Sequence, residues 1–211
     1  PKPQNPKTPL RSQYFENLII YKMEQNLSGS LLEDVETLKF TSQVLLQRHG
    51  QSVANEAYEK ILDLSNTEEV EAWIWNSELR DPRLSLTGNE QWVKVQMVVN
   101  ALNIHTIFVS PLRRTLETAY YTYRTHPNFD KIKFILLPSI RESLNTSSDV
   151  PSNVDELIRE FKELLPNLDT SLLDQMDDKR HYFIHDLQPD VRDRIKWNLV
   201  EKAGDPLGSN A

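Results

Sequence analysis

The chain has 211 residues, a formal charge of −7 and no cysteine. That length holds one sizeable core plus an extension, the missing thiols exclude disulfides and thiol catalysis, and the acidic balance argues against non-specific nucleic-acid binding. No apolar stretch approaches the length of a membrane-spanning helix, and Pro1 to Lys7 is no signal peptide.

Residues 1–12 are proline-rich and read as a disordered arm. From 13 to 40, Tyr14, Leu18, Tyr21 and Met23 recur at near-helical spacing, which predicts a partly helical extension. Its plain reading is a solvated surface helix, and its functional reading is a docking arm for a protein partner. The apolar run Val44-Leu45-Leu46 ends in a polar turn and predicts a buried strand feeding a loop. Residues 52–79 predict helix, with Trp73 and Trp75 pointing to different sides. Ser85 or Thr87 caps the next helix, Gly88 to Leu102, which packs Trp92, Val95, Val98 and Val99. Thr106 to Val109 predicts a strand. It meets Ser110-Pro111, a helix start with proline at the first helical position. That helix, Leu112 to Tyr123, projects Arg114 from its first turn beside the mouth of the sheet and leaves Arg113 solvated. Tyr120, Tyr121 and Tyr123 read as core and rim packing. A further apolar run, Phe134 to Leu137, leads into Pro138-Ser139-Ile140-Arg141-Glu142. Residues 153–165 predict an amphipathic helix stopped by Pro166, and the tail from Asp177 to Trp197 is charged without a repeat.

The loop Arg48-His49-Gly50-Gln51-Ser52-Val53-Ala54-Asn55 concentrates groups suited to an anion. Arg48 offers a planar fork that matches phosphate oxygens. Gly50 lets a ligand approach the backbone. Ser52 and Asn55 add neutral donors near a helix start, where free N–H groups favour negative charge. His49 is placed to attack phosphorus. Alone the tripeptide is weak, because a single histidine is more often structural than catalytic. The remaining histidines, His105, His126, His181 and His185, lack metal-ligand spacing, so no metal and no other cofactor is expected.

Taken in order, four segments resemble the histidine phosphatase superfamily, the phosphoglycerate mutase-like proteins. They are the Arg48–Asn55 loop, Leu84–Gln91, Val109–Ala119 and Pro138–Glu142, and the resemblance covers roughly residues 43–200. It implies a three-layer α/β/α sandwich with a mostly parallel sheet, over residues 41–211, after an N-terminal extension of residues 1–40. It implies that His49 becomes phosphorylated, that Arg48 and Arg114 are the paired phosphate-pocket arginines, and that Ser52 and Asn55 line the phosphate site. Glu142 matches the position often used as general acid. Residues 160–171 are also similar to a segment of eukaryotic phosphatase-like members.

One departure accompanies the match. Members carry a second catalytic histidine at the end of an apolar strand near the C-terminus, and no such strand follows Glu142. The sheet is therefore expected to be incomplete within this chain, an arrangement that leaves backbone groups unpaired. Three explanations stay open: a polypeptide continuing beyond Ala211, a strand from a separate chain, or a degenerate module propped up by partners. The enzyme reading is a phosphomonoester hydrolase acting on a phosphorylated small molecule or phosphoprotein, with a mutase less expected. The alternative is a non-catalytic subunit of a larger assembly, with a phosphate sensor as a third reading. A cytoplasmic location is the expectation, with an organellar one open after processing.

Overall fold

The computed structural model describes residues 18–21, 44–61, 63 and 65–174. The chain divides into two compact units, Pro1–Arg48 and His49–Ala211. In the first, β1 (Leu18–Tyr21) and β2 (Val44–Gln47) pair antiparallel, Leu18 opposite Gln47 and Tyr21 opposite Val44. Two expectations change here. Leu18 to Tyr21 is strand, not helix, because Leu-Ile-Ile-Tyr is β-branched and aromatic and finds a ladder partner distant in sequence. The strand β2 is not buried: Val44 and Leu46 are 46% and 51% exposed. Its residues alternate between more and less covered faces, as an antiparallel ladder with a wet side requires. The rest of the N-terminal extension lies outside the described residues.

The second unit is an α/β structure. Its helices are α1 (Val53–Glu59), α2 (Thr67–Ile74), α3 (Leu86–Val99), α4 (Arg113–Tyr123), α5 (Val154–Phe161) and α6 (Ser171–Asp174). Its sheet is parallel, with β3 (Thr106–Val109), β4 (Lys133–Leu136) and β5 (Leu168–Asp169) in that order. Thr106 faces Lys133 and Phe134 faces Leu168 in the register. The path β3–α4–β4 is a crossover between parallel strands, so α4 begins where β3 ends. Among the described residues no helix is long and apolar enough to cross a membrane.

The expected helix over 52–79 is broken into α1, α2 and a 3-10 turn, Ser77–Leu79. Asp63 accepts from the Ser65 N–H and hydroxyl, and Asn66 caps α2. Short polar side chains of this kind compete with the helical backbone and end it. Trp73 then folds back, donating its indole N–H to Ala54 O at 3.0 Å and packing on Tyr58. Ser85, rather than Thr87, caps α3 by accepting the Gly88 N–H at 3.0 Å. Trp92 stacks on Tyr121, with the Arg124 guanidinium 4.9 Å above its ring.

The start of α4 also differs from the sequence reading. Pro111 is not its first residue, because Leu112 is extended and lacks a side-chain cap. A distant carboxylate, Asp81, accepts the Arg113 N–H instead, at 2.8 Å. Likewise α5 stops at Phe161, short of Pro166, and the Leu164 and Leu165 N–H groups close a turn on Phe161 O.

The core lies between the sheet and its helices. Leu116, Ile132, Phe134, Leu136, Leu157 and Phe161 are fully buried. Val154, Leu157 and Phe161 form the buried stripe of α5 at helical spacing, with Asp155, Glu156 and Arg159 on its other faces. Phe134 meets Phe129 and Tyr123 edge-on at 5.7 and 6.4 Å, contacts that add about 0.5–1.5 kcal/mol beyond area burial. Residues 175–211, including His181, His185 and the charged tail, lie outside the described residues. Leu116→Ala is expected to lower unfolding free energy by about 2–5 kcal/mol in urea denaturation. Met97→Ala, at a residue 81% exposed, is expected to change it by less than about 0.5 kcal/mol.

Candidate active site

The His49 loop is seated on two glycines. A Cβ on Gly88 would lie 2.0 Å from Gln51 O, and one on Gly50 would lie 2.9 Å from Gly88 O. Neither contact is tolerable, so only glycine at both positions lets the loop rest on the first turn of α3. Hydrogen bonds complete the seat. Gln51 O accepts the Ser85 N–H at 2.9 Å, the Ser85 hydroxyl donates to Gln51 Oε1, and Gln51 N–H donates to Gln91 Oε1 at 2.8 Å. The Gly50 N–H donates to Thr118 Oγ1 at 3.1 Å, and the Thr118 hydroxyl donates to Arg114 O at 2.7 Å. The loop is thereby tied to α4 as well as α3. The Leu84–Gln91 motif is thus a structural cradle for the His49 loop.

His49 is half-buried, and its Nδ1 lies 2.7 Å from Gly50 O. A carbonyl only accepts, so Nδ1 carries the proton in this contact. The other nitrogen, Nε2, accepts from Arg114 Nε at 3.3 Å, a long bond. This assignment follows from the hydrogen-bond pattern. It leaves the lone pair of a neutral imidazole on Nε2, beside a guanidinium N–H.

Arg114 is buried, and its side chain is held at three points. Nε faces His49, Nη1 donates to Ser148 O at 2.7 Å, and Nη2 donates to Asp149 Oδ1 at 3.1 Å. Only 4% of the Arg114 side chain and 8% of the Asp149 side chain are exposed. A buried cation requires such a counter-charge, since its removal would leave an uncompensated ion at a cost of about 3–5 kcal/mol. The Asp149 Oδ2 accepts from Asn145 N–H, Thr146 N–H and the Thr146 hydroxyl at 3.2, 3.0 and 3.2 Å. Sequence reasoning missed Asp149 and Ser148. The available signal was Thr146-Ser147-Ser148-Asp149, a capping box on a 3-10 turn.

The other expected site residues fall as follows. Ser52 and Asn55 form the capping box of α1: Ser52 N–H and hydroxyl donate to Asn55 Oδ1 at 3.0 and 2.9 Å, and Asn55 N–H donates to Ser52 Oγ at 3.1 Å. Glu142 is exposed, and its carboxylate accepts the Ser143 N–H at 3.0 Å. Arg48 is exposed and ends the first unit. The contacts described join His49 to Arg114 and Ser52 to Asn55, while those of Glu142 are local.

A second layer of carboxylates braces α4. Asp81, buried and at φ 39°, accepts the N–H groups of Arg113 and Ser152, both at 2.8 Å. Aspartate tolerates this left-handed conformation better than most residues. Glu117 accepts the Leu84 N–H at 2.7 Å and pairs with Arg83 at 2.6 Å. Glu160 pairs with both Arg83 and Arg113. Arg113 is therefore not the solvated residue expected from sequence: its side chain is 21% exposed and engaged.

Burial raises the Asp81 pKa, with the two N–H donors and Arg113 opposing the shift. A folded-state pKa above the unfolded one gives stability that is complete below the unfolded value and is lost as pH rises through the folded value. The unfolding free energy of the wild type relative to Asp81→Asn should accordingly fall as pH rises above the ordinary aspartate range; equal pH slopes would contradict this. Gly88→Ala should displace Gln51 and destabilise the chain by about 1–3 kcal/mol, as overpacking does. Chemical-shift changes in that variant should centre on residues 49–52, which a heteronuclear NMR comparison would reveal.

No curated protein and no solved structure matches this chain. Residues 44–164, more than half of the sequence, match the family model of the histidine phosphatase superfamily (branch 1).

Proposed function

We propose, because the chain belongs to the histidine phosphatase superfamily, that it is a phosphomonoester hydrolase working through a phosphohistidine at His49. The observation that carries this reading is the Nε2 of His49, unprotonated by its hydrogen-bond pattern and faced by Arg114 Nε. Nε2 forms a bond to phosphorus as the bond from phosphorus to the ester oxygen breaks. Arg114 stabilises charge on the transferring oxygens, usually the largest electrostatic contribution to such a step. The leaving oxygen takes a proton from the carboxylic acid of Glu142, and water then breaks the phosphohistidine to release phosphate. Ser52 and Asn55 cap α1 through their mutual hydrogen bonds and so fix the segment that follows His49. The substrate is a phosphorylated small molecule or phosphoprotein.

A second reading is a non-catalytic subunit that keeps the fold. The ion pair between Arg114 and Asp149 favours it, since Asp149 already balances the arginine's charge. Incubation with a 32P-labelled phosphoester separates the two. The hydrolase reading expects acid-labile, base-stable label on the wild type and none on His49→Ala, whose unfolding transition should stay close to wild type. Label that persists on the folded variant would remove His49 as nucleophile. An unlabelled wild type under turnover and quench conditions would favour the subunit.

A further inference from the structure

We infer that Asp149, together with the Ser148 carbonyl, is the positioning residue that aims Arg114 at His49, so that an incoming phosphate meets this arginine through Nε. The inference rests on the reading of His49 as the reacting group. An arginine has five donors and several rotatable bonds, and a lone salt bridge would leave its orientation loose. Here each terminal nitrogen gives one N–H to an acceptor of one short turn, at 2.7 and 3.1 Å. With both ends fixed, the plane of the guanidinium is set and Nε is the donor turned to His49 Nε2.

Asp149 could instead be a stand-in for phosphate, displaced when substrate binds. Its surroundings argue against that. The carboxylate is buried and accepts two backbone N–H groups and a hydroxyl from Asn145 and Thr146. Withdrawing it would strand those donors. The turn is itself anchored, because the Ser147 hydroxyl lies against the carbonyls of Ile74 and Asn76 at 3.0 and 2.7 Å, and Arg80 donates to Pro151 O. Asp149 is therefore a fixed part of the wall.

The test uses the full chain labelled with 15N in arginine and histidine. In the wild type the Arg114 Nε–H should exchange slowly with water, and His49 should show the tautomer protonated on Nδ1. Asp149→Asn keeps an oxygen for the turn and removes the charge. It should speed Nε–H exchange and weaken binding of inorganic phosphate, each by about tenfold. Arg114→Lys keeps the positive charge and removes Nε, so Asp149→Asn should cost no further phosphate affinity on the R114K background. A structural role alone would give additive losses. Unchanged exchange in a folded Asp149→Asn chain would overturn the inference, and so would additive losses in the double variant. Where Asp149→Asn loses cooperative unfolding, Thr146→Val replaces it, removing one of the donors that hold the carboxylate, with the same directions expected. A wild type that shows the protected Nε–H but binds no phosphate would reject the hydrolase reading and leave the exchange result to decide the positioning role.

Discussion

A guanidinium buried at the first turn of α4 must have a counter-charge, and much of the surrounding structure answers that requirement. Arg114 cannot be withdrawn from water without Asp149. Asp149 in turn cannot be buried unless its second oxygen is satisfied, which the Asn145 and Thr146 donors accomplish. That turn needs its own anchorage, supplied by Ser147 against the end of α2. Each step replaces a solvation loss with fixed hydrogen bonds, and the result is a rigid side to the His49 site.

The same end of α4 is where the other constraints converge. Its first N–H goes to Asp81, its Glu117 holds Leu84 and Arg83, and its Thr118 holds Gly50. The His49 loop is thus pinned to α4 on one side and seated on Gly88 of α3 on the other. This places the His49 imidazole beside Arg114, on the first turn of the helix that follows β3. The family's phosphatase-like chemistry fits such a place, because phosphoryl transfer asks mainly for positioned donors around an in-line nucleophile.

Much of the element order was legible in the sequence. The strand Thr106–Val109 and the helix beginning near Leu112 follow from an apolar run meeting Ser-Pro, and α3 follows from its cap and apolar spacing. The family resemblance named His49 and Arg114 as site residues, while the contact between them came from the structure. What misled was local periodicity where another partner decided the outcome. Leu18 to Tyr21 had near-helical spacing but found β2. The stretch 52–79 had helical composition but contains Asp63 and Asn66, whose side chains bond the backbone. Arg113 looked solvated because nothing nearby in sequence announces Glu160.

By itself the sequence determined the α/β class, the superfamily, and which side chains stand in the His49 loop and on the first turn of α4, since these depend on short-range pattern and motif order. Only the tertiary structure decided that Gly88 is a seat for Gln51, that Asp81 caps a helix far along the chain, and that Asp149 is the partner of Arg114. These are contacts between residues distant in sequence, and their chemistry exists only once burial makes an unpaired charge or N–H too costly to leave alone.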